Sequence, residues 1–418
     1  MKTKLLELWS LGIIAVCFCP SLGLGQTWTQ TGAPGETWRT VACSSNGTSL
    51  IAAGDEGVFE SLDGGLTWLF LNSTPSSSVA CSADGTKIIF SGAGTVYTSP
   101  NSGTAWQPHP LAPDTQYYVA SSADGTKLAA VGYAGNAGSI FLSADSGNTW
   151  VTPDEPTNFW LTNIWSSVAS SVDGTKLIAA TEATIGSSSF LPGPIYTSTN
   201  SGATWTQSGA PGNVWYSVAC SANGTNLIAA AYAGPSQIGG TGLIYTSTNF
   251  GNTWTTNASL STNYWTSVAS SADGTNLMAV SLFDQSPDNP GVIWRSTNSG
   301  VNWSEDPLTG YFSSTAMSAD GTKLVVAEVA GNLIYTFGEP TATAPAMLPV
   351  LSIAKAGSQM LLAWGISNAA GFLLYRTTNL TPPALWFPVT NLPTLGSNQI
   401  QVTLPNSLPN QFFRLNQL

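Results

Sequence analysis

The chain carries little charge, and very little of it is positive. Its 418 residues hold 11 Lys and Arg against 22 Asp and Glu, a formal net charge of −11, and charged residues make up 8% of the sequence. Nucleic-acid binding needs a clustered basic footprint, which so few scattered cations cannot supply. Histidine is scarcer still. His109, within WQPHPLAP, is the sole one; without a second histidine or clustered thiols, a zinc site is excluded. There is no phosphate-binding loop and no Ser/His/Asp set, so no metal and no cofactor is expected. Of five cysteines, Cys17 and Cys19 fall in an N-terminal apolar run, while Cys43, Cys81 and Cys220 each follow a Val-Ala pair. Ser121, Ser170, Ser270 and Met317 stand at the corresponding positions elsewhere. A position that accepts Cys, Ser or Met is a small packing site, and three thiols spread over distant segments are placed too far apart to pair.

Long apolar runs are missing after residue 25. Before it, Lys2 and Lys4 precede LLELWSLGIIAVCFCPSLGLG, a run broken by Glu7 and Pro20 and ending in small Gly23 and Gly25. Residues 1–25 therefore read as a signal peptide, with Gln26 opening a mature chain of net charge about −12. The product is expected to be secreted or held at a bacterial cell surface, not membrane-spanning after cleavage, and monomeric.

What the chain has in abundance is a repeat. Asn46-Gly47, Asp84-Gly85, Asp124-Gly125, Asp173-Gly174, Asn223-Gly224, Asp273-Gly274 and Asp320-Gly321 lie 38 to 50 residues apart. Each pair sits between two short apolar runs, the setting of a tight hairpin turn. The period is that of four-stranded propeller blades, with strands A to D running outward in each copy. Strands A and B are Ala-rich and apolar on both faces, as a blade sandwiched between neighbours requires. The last copy stops after strand C, at NLIYTF, while QTWTQTGAP at the N-terminus echoes TWTQSGAP from Thr204. The N-terminal segment is therefore expected to supply the missing strand D and close a ring without free sheet edges. The fold class expected is all-β: a seven-bladed β-propeller over residues 26–338.

A second turn ends six copies: SLDGGLTW, SPNSGTAW, SADSGNTW, STNSGATW, STNFGNTW and STNSGVNW. This resembles the Asp-box, or bacterial neuraminidase repeat, S-x-D-x-G-x-T-W. Asp63 and Asp145 keep the acid; Asn101, Asn200, Asn249 and Asn298 replace it. Asn retains the carbonyl acceptor but not the charge, so these positions are structural turn residues. The resemblance extends to a clan that includes sialidases, xyloglucanase-type hydrolases, sortilin-like receptors and photosystem II assembly factors. Sialidases hold a carboxylate with three arginines; here the repeat region contains only Arg39 and Arg295 and lacks the Phe-Arg-Ile-Pro motif. The arginine-rich patch of the assembly factors also has no counterpart.

Residues 339–349 read as a Pro/Ala/Thr linker. From 350 to 418 period-2 runs resume, and GFLLYRTTNLTPP and NQFFRLNQ resemble the fibronectin-like or immunoglobulin-like modules of secreted bacterial proteins. A stalk or adhesive role is the default for such a module.

In a propeller the A–B and C–D turns share one face, and the longer, variable B–C and D–A loops share the other. The variable face is the expected functional face. Trp38, Trp165, Trp215, Trp265 and Phe312 end the D–A loops, and Trp160 lies inside a long one. These aromatics either rim the pore mouth and stack on a ligand or anchor the packing between blades. Asp55, Glu182, Asp284 and Glu328 fall at or near B–C loop starts. As ligand-binding groups, acids and aromatics together suit a glycan or protein. As a catalytic pair, two of the acids would run glycoside hydrolysis. The expected function is a non-catalytic, extracellular binding protein; the alternative is an extracellular glycoside hydrolase.

Overall fold

The structure, a computed structural model, describes residues 27–112, 116–134, 137–153, 163–185, 190–232, 242–257, 260 and 263–338. Towards the C-terminus it describes 352–356, 359–365, 372–377, 387–389, 394–395, 399–405 and 412–417. The signal segment 1–25, the linker 339–349 and Trp160 lie outside the described residues. Among the described residues every regular element is a strand, and no helix is long and apolar enough to cross a membrane.

The described residues between 27 and 338 form seven antiparallel sheets. The first is a meander of Trp38–Cys43, Leu50–Gly54, Val58–Ser61 and Leu69–Asn72; the next five are antiparallel and follow in chain order, the third with three strands and the fourth and sixth with five. The seventh joins Phe312–Met317, Leu324–Glu328 and Leu333–Gly338 to Thr27–Gln30, the first strand of the described chain. These sheets form because each first turn satisfies its own polar groups. In every copy a Ser hydroxyl donates to the turn Asx Oδ1 at 2.5–2.9 Å and accepts the N–H five residues on. The Asx Oδ1 also accepts the Thr N–H two residues on. Hydrogen bonding to the charged form, from the Ser hydroxyl first and then the Thr amide, holds the carboxyls of Asp124 and Asp173 down at about 2.

The first turns also bond to one another. Ser45 N–H donates to Ala83 O, Ala83 to Ala123, Ala123 to Val172, Val172 to Ala222, Ala222 to Ala272, Ala272 to Ala319, and Ala319 back to Ser45, all at 2.7–2.8 Å. This is a closed circuit of backbone hydrogen bonds. Lys87, Lys127 and Lys176 reinforce it by donating to the carbonyls of Asp124, Asp173 and Asn223 in the next turn. Strand A of each sheet touches strand A of both neighbours, the first and seventh included. Here the Ser of the Ser-Val-Ala pattern matters. Ser78, Ser167, Ser217 and Ser267 accept the N–H of Val119, Val218, Val268 and Thr315 in the following sheet at 3.0–3.1 Å, and Ser314 accepts that of Val41. Each such hydroxyl satisfies a buried amide that its own sheet leaves unpaired.

Between sheets lie apolar clusters. Strand B is buried throughout in the first, second and fifth to seventh sheets, and its small Ala residues let the sheets approach. The thiols of Cys43 and Cys220 are free, and burial pushes both up to about 12, away from reactive thiolate. Where the seventh sheet meets the sixth, Asp306 is buried and accepts Trp28 Nε1 at 2.6 Å. Its other oxygen lies 2.7 Å from Arg295 Nε, an ion pair without hydrogen-bond alignment. The Arg295 guanidinium sits 4.1 Å from the centre of the Phe337 ring. A residue of the first described strand is thus tied to a sheet almost three hundred positions away.

The C-terminal residues form two more sheets: Ser352–Ala356, Gln359–Gly365, Gln399–Pro405 and Thr394–Leu395 in one, Phe387–Pro388, Phe372–Thr377 and Phe412–Gln417 in the other. Leu374 of the second packs with Leu362, Val402 and Leu404 of the first.

Candidate binding face

The strand registers sort the loops. Cys43 pairs with Leu50 and Leu50 with Ser61 at one end of the first sheet; Trp38 pairs with Gly54 and Val58 with Asn72 at the other. The near-identical turns therefore share one face, and the variable loops the opposite one, here called the mouth face.

Of the two roles open to the five aromatics, the structure shows packing between sheets. Trp38, Trp165, Trp215, Trp265 and Phe312 are all 0% exposed. Each is wedged between its own sheet and the preceding one, as Trp265 is among Ile228, Ala230 and Ile244, and Trp265 Nε1 donates to Gly242 O. The physical reason is the area of these rings: in the widening gap between twisted sheets, a large aromatic buries more surface than any other side chain. Glu328 is also unavailable as a ligand group. It is 7% exposed, and its two oxygens accept the N–H groups of Tyr311 and Gly331, holding a tight loop.

Two neighbours of those buried anchors, Arg39 and Tyr216, are exposed instead, whereas Thr266 and Ser313 bond to backbone carbonyls. Side chains alternate along a strand, so the residue next to an inward-packed Trp points the other way. In the first, fifth, sixth and seventh sheets the ladder also slips by one residue after the anchor, leaving Arg39, Tyr216, Thr266 and Ser313 as bulges. A bulge frees a side chain from the pleat and re-aims it. Glu182 is a bulge residue too, skipped between the pairs Ile164–Ala183 and Trp165–Thr181.

A run of rings results. Tyr216 stacks on Tyr232 at 5.1 Å between centroids. Tyr232 then meets Tyr264 at 5.3 Å, Tyr264 meets Phe283 at 5.5 Å and Phe283 meets Tyr311 at 5.8 Å, all edge to face. The arc crosses three sheets. It is partly open to solvent, Tyr216 being 41% exposed. At its near end Tyr118, Tyr133 and Glu182 lie within electrostatic reach of Tyr216, and Glu182 also of Tyr232. Burial raises the Glu182 carboxyl above its ordinary range and the phenols of Tyr118, Tyr216 and Tyr232 above theirs.

The rest of the mouth is polar. Arg39 Nε donates to Asp55 at 2.6 Å, beside a cavity of about 370 Å³ lined also by Ser76, Ser77, Ser91 and Gln116. Gln116 Nε2 donates to the Tyr118 hydroxyl at 3.4 Å. Beneath Asp55, buried Glu36 is pushed up to about 7 by burial and by the nearby charge of Glu56. Asp284 sits at a hairpin tip, its carboxylate accepting the Gln285 amide. Asp55, Glu182, Asp284 and Glu328 thus stand on four different sheets with separate neighbours. No three His, Cys, Asp or Glu among the described residues are grouped to hold a metal ion.

On the other face the second turns repeat one pattern. Asp63 and Asp145 accept the N–H of Thr67 and Thr149 through Oδ1 and their hydroxyls through Oδ2. Asn200 and Asn249 accept the same N–H, then donate from Nδ2 to the Thr hydroxyl. Asn101 and Asn298 accept the N–H of Ala105 and Asn302. These side chains are consumed by their own turns.

The tyrosine arc had a trace in the sequence: Trp215-Tyr216, Tyr264-Trp265 and Tyr311-Phe312 are doubled aromatics at the D–A junction. One of each pair must face away from the core.

No protein-family model matches the sequence, and no curated protein matches it. Solved structures do. The GH74 enzyme of Niastella koreensis is 15% identical with a TM-score of 0.56, over 81% of this chain and 59% of its own length. The β-propeller domain of Cps50 (Swd1) from Myceliophteria thermophila is 14% identical with a TM-score of 0.55, over 75% of this chain and 99% of that domain. YCF48 bound to D1 peptide is 14% identical with a TM-score of 0.53, over 75% and 94%. At such identity the likeness concerns the fold alone, and the fold is a β-propeller.

Proposed function

We propose that this chain is a secreted, non-catalytic binding protein, a seven-bladed propeller over residues 26–338 that takes an extracellular glycan or protein on its mouth face. The observation that carries the reading is the arc from Tyr216 to Tyr311: partly exposed rings across three sheets, on the same face as a polar cavity and opposite a face of uniform turns. Rings give apolar contact area at little conformational cost, and flanking acids and amides orient a ligand. The circuit of seven turn-to-turn hydrogen bonds supports the blade count, and the pairing of Thr27–Gln30 with Leu333–Gly338 supports closure by the N-terminal strand. The second turns are read as Asp-boxes, and residues 350–418 as a fibronectin- or immunoglobulin-like module on a 339–349 linker. Propeller structures include one with a bound peptide, which is compatible with a binding role. Incubating the mature chain with polysaccharides and extracellular proteins tests the reading. Retention without turnover supports it; released sugar overturns it in favour of a hydrolase.

A further inference from the structure

We infer that the mouth-face cluster of Tyr118, Tyr133, Glu182, Tyr216 and Tyr232 is a recognition site for a primary alkylammonium, the lysine side chain of a protein partner. The inference rests on the proposed binding face and names what that face selects.

The chemistry follows from composition and from what is missing nearby. Four phenol rings present electron-rich faces, which attract a cation placed over them. The stack of Tyr216 on Tyr232 supplies a wall, and Tyr118 feels the charge of Tyr216, Tyr133 and Glu182. Glu182 is then the one carboxyl among these neutral rings, re-aimed by its bulge. Among the described residues no salt bridge joins it to a cation. Among the described residues of the seven sheets, Lys87, Lys127 and Lys176 donate to turn carbonyls on the opposite face. Lys323 packs there against Gly47. Arg295 is held by Asp306 and Phe337, and Arg39 by Asp55. Among the described residues of the seven sheets each cation is thus engaged or on the opposite face, so the charge that complements Glu182 is assigned to the ligand. A half-buried carboxylate without a partner is costly; an ammonium delivered on an apolar stem removes that cost while its methylenes pack on the rings. A neutral sugar would stack on the same rings but leave Glu182 uncompensated.

The test uses the mature chain and two peptides, acetyl-Gly-Lys-Gly-amide and the same peptide acetylated on the lysine Nε, with binding followed by NMR titration. Acetylation removes the charge and keeps the stem. The charged peptide should bind about tenfold more tightly than the acetylated one, and Glu182→Gln should erase that difference. Tyr216→Phe, which keeps the ring, should bind like the parent; Tyr216→Leu should lose affinity. Equal binding of both peptides, no binding of either, or an unchanged preference in Glu182→Gln overturns the inference. If glycans or proteins are retained in a Tyr216-dependent way that ignores amine charge, the ammonium site fails while the binding face stands. If retention ignores Tyr216→Leu as well, the binding face itself fails.

Discussion

Removing the Asp306 carboxylate should loosen the closure between the first strand and the sixth sheet. Asp306 is 3% exposed, and it is the shared partner of Trp28 Nε1 and Arg295 Nε, at 2.6 and 2.7 Å. Asp306→Ala strands a cation and an indole N–H at once. Breaking a fully buried pair costs about 3–5 kcal/mol. The Arg295 side chain keeps 32% exposure, which lets water share its charge and places the expected loss near the low end, about 3 kcal/mol. For a domain of this size that corresponds to a drop in melting temperature of about 6 °C. Asp306→Asn keeps an acceptor for Trp28 and should lose about half as much. Glu305→Ala, exposed on the same strand, should change stability by less than about 0.5 kcal/mol. Combined with Trp28→Phe in a double-mutant cycle, Asp306→Ala should show a coupling of about 1 kcal/mol or more, because both changes remove one bond. Chemical denaturation and calorimetry of the mature chain measure all of these. A melting temperature within 1 °C of the parent for Asp306→Ala, or strict additivity with Trp28→Phe, would refute the latch.

Glu60 is 1% exposed, and burial pushes its carboxyl up to about 7 from an ordinary 4.5, against the opposing hydrogen bond from Ser49. A raised carboxyl favours folding below pH 4.5 and loses that advantage as pH rises through 7, so Glu60→Gln should be near neutral at pH 4 and stabilise by up to about 3 kcal/mol at pH 8; equal effects at both pH values would contradict this. Ser217→Ala orphans the buried Val268 N–H that its hydroxyl now accepts at 3.1 Å and should cost about 1–3 kcal/mol in urea, whereas Ser217→Thr keeps the bond and should cost less. Asp63→Asn should change stability by less than about 0.5 kcal/mol, because Asn200 and Asn249 make the same turn, while Asp63→Ala should lose about 0.5–1.5 kcal/mol. A chelator should leave the melting temperature unchanged; a clear drop would identify a metal in what is read as a turn.

The hairpin plan was legible because it rests on local chemistry. Asx-Gly pairs and their Ser and Thr partners lie within five residues of each other, and their spacing alone marks successive sheets. The role of the N-terminal strand was readable from the echo between QTWTQTGAP and TWTQSGAP, which pairs Trp28 with Phe337 in the structure. The site was much less legible. Trp215 and Tyr216 are adjacent, and sequence alone does not say which one a bulge turns outward; the larger ring filled the gap between sheets. Glu182, Asp55 and Glu328 looked alike as loop carboxylates. Their roles separate only through long-range neighbours: tyrosines from other sheets, Arg39 sixteen residues away, and the backbone of one tight loop.

The central claim is that ligand binds at the tyrosine arc and not at the uniform turns. It is tested most directly by comparing three proteins on one panel of polysaccharides and lysine-bearing peptides: the mature parent, Tyr216→Leu with Tyr264→Leu, and Asn200→Ala with Asn249→Ala, each shown to be folded. The tyrosine pair should lower affinity by about tenfold or more while the asparagine pair leaves it unchanged. Loss of binding in the asparagine pair, with the tyrosine pair binding like the parent, would place the site on the opposite face and contradict it.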